Sequence, residues 1–223
     1  MEYLHWDETT IADFSEANIA AQYERGYVFT RIGKGVMHQT RSVRVDLAKF
    51  ELSSENRRIL KKAAEANIAL STKPLPLADY HWSLGKLAKD FYEAKFGPGI
   101  MSAVKIKEIL TDAAAGNFNS LLAYSTGAEN SASAAYCIAY ENSAMLHYSY
   151  PFYDLAAASK NMGMGMMLTA IEYAKKSGKR FIYLGSLQRP GDIYKLQFAG
   201  LEWFDGKMWQ TDLEKAKMIL NGK

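Results

Sequence analysis

The chain has 223 residues, 48% hydrophobic and 23% charged, with a formal net charge of +3. That is the make-up of an ordinary globular protein, large enough for one domain or for a small module fused to a larger one. No apolar run approaches the roughly 18–20 residues of a bilayer-spanning helix. Met1-Glu2-Tyr3-Leu4-His5-Trp6-Asp7-Glu8 has neither the basic start nor the apolar stretch of a signal peptide. The single Cys137 excludes an internal disulfide and, in its apolar setting, reads as a buried structural thiol. A cytoplasmic protein without a membrane partner is the expectation.

In chain order, residues 10–24 read as a helix. Tyr27-Val28-Phe29-Thr30-Arg31 alternates like a strand, and Gly33 and Gly35 mark a turn. Ser42-Val43-Arg44-Val45-Asp46-Leu47 predicts a second strand with its valines and leucine on one face, and residues 55–67 a helix carrying Arg57, Arg58, Lys61 and Lys62. Between Arg25 and Lys62 stand ten Lys or Arg and only three acids, Asp46, Glu51 and Glu55. Such a basic β-β-α unit attracts phosphates, although a solvated face with no partner has the same composition. Lys73-Pro74-Leu75-Pro76 reads as a linker, dividing the chain into a basic N-terminal module, 1–72, and a larger domain, 73–223.

Beyond it, Trp82–Phe96 is an amphipathic helix ended by Gly97, and Ser102 caps another helix running to about Ala115. Strands are expected at 120–125, 134–140 and 145–150, with Gly127 in one turn and Glu141-Asn142-Ser143 in the next. A helix at 162–176, capped by Gly178, is followed by a strand at 180–184 and a loop. Phe198–Trp209 predicts a hairpin turning at Asp205-Gly206, whose aromatics are core or line an amino-acid pocket, and a short helix follows Thr211. The order defines an α+β layer fold. His81 and His147 flank aromatic segments and read as structural, since a histidine base needs a second residue to orient it.

Lys160-Asn161-Met162-Gly163-Met164-Gly165 lies between a strand and a helix, where glycines and free N–H groups suit a phosphate. The pattern is similar to the pyrophosphate loop of the GNAT superfamily, with lysine in place of the usual Gln or Arg. Tyr150-Pro151-Phe152-Tyr153-Asp154, this loop, Phe181-Ile182-Tyr183-Leu184-Gly185 and Tyr194-Lys195-Leu196-Gln197-Phe198 together resemble the C-terminal half of the arginyl- and leucyl-tRNA–protein transferases. Glu24-Arg25-Gly26-Tyr27, Ser42-Val43-Arg44-Val45, the run Ser53 to Lys61, and Phe91-Tyr92-Glu93-Ala94-Lys95-Phe96 resemble the first half. One feature departs. The family's clustered cysteines are absent from Gly35-Val36-Met37-His38-Gln39-Thr40-Arg41, and His38 alone supplies no metal site.

The resemblance implies a GNAT-like fold that needs no cofactor beyond its donor, and the missing cysteines make this chain a metal-free, shortened relative. It implies transfer of an amino acid, of the arginine or leucine type, from aminoacyl-tRNA to an amine, the N-terminus of an acidic-ended protein. Lys160, Asn161, Gly163, Gly165, Tyr194 and Gln197 would then hold the donor. Arg41, Arg44, Arg57 and Arg58 would contact the tRNA backbone or capture the acidic residue. Asp154 would orient or deprotonate the amine, with Tyr153, Tyr183 and Tyr194 stacking or donating a proton and Lys195 stabilising negative charge. Each has a plainer alternative: Asp154 as a turn residue, the tyrosines as amphipathic core, Lys195 in a surface pair. Two other functions stay open, an acyl-coenzyme A N-acyltransferase and a non-catalytic tRNA- or degron-binding relative. A cell-wall branching enzyme is disfavoured, because such enzymes carry two related domains.

Overall fold

The structure, a computed structural model, describes residues 3–65, 68–126, 135–158 and 161–222. It is α+β, and the chain forms two compact units, Met1–Ser54 with Asn142–His147 and Ala174–Lys223, and Glu55–Glu141 with Tyr148–Tyr173. This partition differs from a division at residue 72. The cause is pairing: strand β4 (Ser42–Asp46) runs antiparallel to β9 (Phe181–Ser186) on one side and β10 (Leu201–Phe204) on the other, so the first 54 residues fold with the last 50.

The first unit holds a small sheet, order β1-β3-β2, built from Asp7–Thr10, Val36–Gln39 and Tyr27–Phe29. A second sheet runs β11-β10-β4-β9-β8, with β11 at Trp209–Gln210 and β8 at Met145–Tyr153. Only the first three residues of β8 pair with β9, Met145 with Phe181 through His147 with Tyr183, and they do so in parallel. A parallel neighbour requires a crossover, which α5 (Met162–Lys176) supplies. Helix α1 (Glu16–Glu24) is capped by Ser15, whose hydroxyl accepts from Asn18 N, and buries Ile19 and Tyr23. Trp203 and Phe204 are fully buried and Trp209 half-buried, so the hairpin packs mainly as core, with its turn at residues 205–208. Helix α6 (Leu213–Leu220) starts on the Asp212 cap.

The second unit continues β8 through residues 148–153 beside β7 (Ala135–Glu141), β6 (Ser120–Thr126) and β5 (Ile68–Pro74). The presumed linker therefore begins inside a strand. β5 has a partner on one side only, β6, and at such an edge a proline's missing N–H costs no ladder bond. Helices α2 (Ser54–Glu65), α3 (Trp82–Phe96) and α4 (Ala103–Thr111) complete it, the last capped by Ser102 as expected. Cys137 is completely buried, and burial pushes its thiol pKa up. The start of the 134–140 strand, the Gly127 turn and Asn67 lie outside the described residues.

Candidate functional site

In the first unit the site residues gather at the paired ends of β4 and β9. Arg44 was expected on a solvated basic face, but it is 5% exposed. Its Nη1 donates to Glu24 at 2.6 Å and its Nε to Glu202 at 2.8 Å, while Phe181 and Trp209 sandwich the guanidinium at 4.0 Å each. Burial opposes the charge, and the Glu24, Tyr183 and Glu202 contacts overcome it and hold the pKa above the ordinary value. With both faces and its fork occupied, Arg44 presents nothing to a tRNA backbone.

Tyr183 is 2% exposed, packs edge-on to Tyr23 at 4.8 Å, and receives a long 3.4 Å bond from Arg44. Burial pushes its pKa up to about 12. Beside it, the Tyr23 hydroxyl lies 2.8 Å from His147 Nδ1 and accepts from Phe29 N at 3.3 Å. Burial drops the His147 pKa to about 3. This agrees with the structural role read for His147, and His81 likewise caps α3 by accepting from Ser83 N.

Lys195 lies on a 3₁₀ segment, Pro190–Gln197, in what the sequence presented as a loop. It is 7% exposed rather than a surface group. Its ammonium donates to the Ser186 carbonyl at 2.8 Å and pairs with Asp192 at 3.0 Å. Burial lowers its pKa, with Asp192 pulling the other way. Asp192 also accepts from Gln188 N at 2.9 Å and Arg189 N at 3.0 Å. Tyr194 is exposed, and its carbonyl accepts from the exposed Gln197 amide at 2.7 Å. Arg41 is half-buried, and its Nη1 reaches only the Leu187 carbonyl at 3.4 Å.

The second unit holds the loop and the basic helix. Lys160 lies outside the described residues. Asn161 takes a left-handed φ of 74°, and the Gly165 N–H returns to its carbonyl at 2.8 Å, opening α5. A Cβ on Gly163 would come within 3.4 Å of the Tyr153 hydroxyl, so that side chain overlies the first turn of the helix. Tyr153 is half-buried against Phe91, with ring centroids 4.7 Å apart, and burial raises its pKa. Asp154 accepts from Ala156 N at 2.8 Å, the turn geometry given as its plainer alternative. A Cβ on Gly165 would meet Ala63 of α2 at 3.7 Å. That helix buries Asn56, Ile59 and Ala63 and turns Arg57, Arg58, Lys61 and Lys62 outward. Arg58 is partly engaged by Glu55, with Nε to the carboxylate at 2.6 Å.

Sequence reasoning missed Glu24, Glu202, Ser186, Gln188 and Asp192. Glu24 stands in the Glu24-Arg25-Gly26-Tyr27 segment but was given no role, the others sit in no motif, and the β4–β9–β10 pairing brings them together. Among the described residues no three His, Cys, Asp or Glu side chains are grouped to hold a metal, and no helix is long and apolar enough to cross a membrane.

The layered α+β chain, with a parallel strand pair joined by a helix, has a GNAT-like fold. The structure is similar to the GCN5-related glucosamine N-acetyltransferase region of a fungal multi-domain GH3 β-N-acetylglucosaminidase, with TM-score 0.50 at 10% identity, over 87% of this chain and 22% of that one. In sequence, the chain is 27% identical to proteins named aspartate/glutamate leucyltransferase from Cereibacter sphaeroides and Dinoroseobacter shibae, over 76% of its length. It spans 61% of the length of these relatives. No family model matches. In sequence the chain is thus similar to proteins named aspartate/glutamate leucyltransferase, in line with the resemblance to aminoacyl-tRNA–protein transferases.

Proposed function

We propose that the chain is an aminoacyltransferase that moves an amino acid from aminoacyl-tRNA to the N-terminal amine of a protein beginning with Asp or Glu. The observation that carries this reading is the homology over 76% of the chain. The names of the relatives favour leucine over arginine. In the transfer, the amine nitrogen attacks the ester carbonyl carbon. The ester C–O bond breaks, an amide forms, and the ribose hydroxyl leaves with the proton the amine gives up. The enzyme's part is positioning, hydrogen bonds to the oxyanion, and proton movement; no covalent enzyme nucleophile is needed.

The donor end belongs at the start of α5, where Gly163 and Gly165 carry no side chain and Asn161 leads in, with Lys160 preceding it in the sequence. Tyr194 and Gln197, both exposed, are further donor contacts. Arg57 and Arg58 take phosphates, contacts that position the tRNA without reading its sequence. Asp154 orients the amine. Tyr183 and Lys195 act as positioning residues, the first through Arg44 and the second through the Ser186 carbonyl and Asp192.

The test is transfer of labelled amino acids from a mixed pool of charged tRNAs to peptides with acidic and basic N-termini, with acetyl-coenzyme A as the rival donor. Label on the acidic peptide alone, with leucine, supports the reading. Label from coenzyme A alone makes the chain an acyl-coenzyme A N-acyltransferase, and tRNA binding without transfer makes it a non-catalytic binder.

A further inference from the structure

The end of β9 carries a cluster that the transfer reading leaves unused, and the chain's own N-terminal segment occupies it. Gln188 faces Leu4 as a neighbouring strand would. Its Oε1 accepts from Leu4 N at 2.8 Å, and its Nε2 lies 3.1 Å from the Leu4 carbonyl. The Thr40 hydroxyl donates to the same carbonyl at 2.6 Å, and the Tyr3 hydroxyl lies 3.0 Å from Ser186 Oγ. Gln188 Nε2 is also within reach of Thr40 Oγ1 at 2.8 Å and Ser186 Oγ at 3.0 Å, which fixes the carboxamide's orientation. Both main-chain polar groups of one residue, Leu4, are read, and its side chain takes no part in those bonds.

The occupant lies ahead of the first strand, held by these bonds and by the His5 ring stacked on His38 at 4.5 Å. Strand pairing begins at Trp6, whose N–H donates to the Gln39 carbonyl at 2.8 Å, and continues through β1; residues 3–5 belong to no strand. Beside the cluster stands Arg41. Its Nε is buried with no hydrogen-bond partner, and among the described residues no carboxylate pairs with the guanidinium. A buried donor left unpaired costs free energy, so such a group marks a place where a ligand would be favourable. The Arg41 backbone is one residue from Thr40, and its carbonyl accepts from Leu187 N at 2.8 Å, the residue before Gln188.

We propose that Gln188 and Thr40 form a main-chain recognition site for an extended acceptor peptide, that Arg41 takes the carboxylate of the peptide's acidic side chain, and that residues 3–5 fill this site until a peptide displaces them. This deepens the transferase reading and rests on it for the identity of the ligand. The two fail separately, because binding of a peptide needs no tRNA.

The experiment measures binding of fluorescent peptides with N-terminal Glu or Ala to the full chain by anisotropy, with the thermal midpoint of each variant recorded. Leu4→Pro removes the N–H that Gln188 accepts. If residues 3–5 hold the site about nine-tenths of the time, releasing them tightens Glu-peptide binding about tenfold. Arg41→Ala should erase the preference for Glu over Ala. Gln188→Glu keeps an acceptor but loses the donor and adds a negative charge, so it should weaken the Glu peptide more than the Ala peptide. A Leu4→Pro variant with unchanged midpoint and no tighter binding would overturn the proposal, as would Arg41→Ala that still prefers Glu. Transfer from tRNA at unchanged KM in Gln188→Glu removes the site and leaves the transferase reading. Peptide binding that follows the expected pattern, without any transfer, removes that reading and leaves the site.

Discussion

A guanidinium in the middle of a strand is tolerated either by reaching solvent or by being paired where it stands. Alternation in Ser42-Val43-Arg44-Val45-Asp46 predicts the first, and the structure shows the second, because Glu24 of α1 and Glu202 of β10 converge on Arg44 from 20 and 158 residues away. Removing Arg44 leaves the part-buried Glu202 with only the longer, exposed Lys49 contact at 3.5 Å. Glu202 has only 12% of its side chain exposed, so Arg44→Met should cost about 3–5 kcal/mol, read as a lower urea midpoint. Arg44→Met combined with Glu202→Met should recover much of that loss; if the double variant is no better, the pair is not what holds β4 to β10. His147 makes a second residue-scale expectation. Its folded pKa of about 3 lies below the ordinary 6.5, so the unfolded chain binds the extra proton. The contribution is therefore intact above pH 6.5 and falls as pH drops toward 3, by roughly 1.4 kcal/mol per unit across that window. Urea unfolding at pH 7.5 and 5 should show a loss of about 2 kcal/mol from this group. His147→Gln should flatten that acid limb, and an equal acid loss in the variant would assign the limb to other groups.

At the scale of elements, what the chain order made legible was local. Helix α3 begins and ends where its apolar stripe and Gly97 place it, and α4 starts on its Ser102 cap. β1 was invisible because Asp7-Glu8-Thr9-Thr10 has no apolar residue. It exists through pairing with β3, reinforced by Glu8 on His38 at 2.8 Å. β3 itself was read only as the place of missing cysteines. The 3₁₀ segment was hidden behind Pro190-Gly191, and Gln188 and Asp192 with it, since nothing local marks a carboxamide that binds a residue 184 positions away. The loop at Gly163 was legible as a motif, whereas its relation to Tyr153 was not. The β10 hairpin is sensitive to a change at a glycine that lies against it. Gly26, with φ of 82°, sits so close to Phe204 that a Cβ would lie 2.3 Å from the ring. Gly26→Ala adds left-handed strain and overpacking, together about 2–4 kcal/mol. A thermal midpoint equal to that of the wild type would mean the ring moves aside freely.

For the whole molecule, a net charge of +3 says little about a polyanionic partner; its placement says more. The stretch from Arg25 to Lys62 looked uniformly basic, but folding withdraws Arg44 into a pair with two acids and leaves α2 with its bases outward. Only charges that meet phosphates release counterions, so the salt dependence of tRNA affinity separates the two groups. Arg57→Ala with Arg58→Ala should weaken binding and reduce the slope of log affinity against log salt by up to about 1.5, near 0.7–0.9 for each lost contact. Arg44→Met, assayed where it remains folded, should leave the slope as it was. Filter binding of one charged tRNA between low and moderate salt decides the matter. A slope unchanged by the double substitution would mean that α2 faces something other than tRNA. A slope reduced by Arg44→Met instead would mean that the buried arginine is exposed when the donor binds.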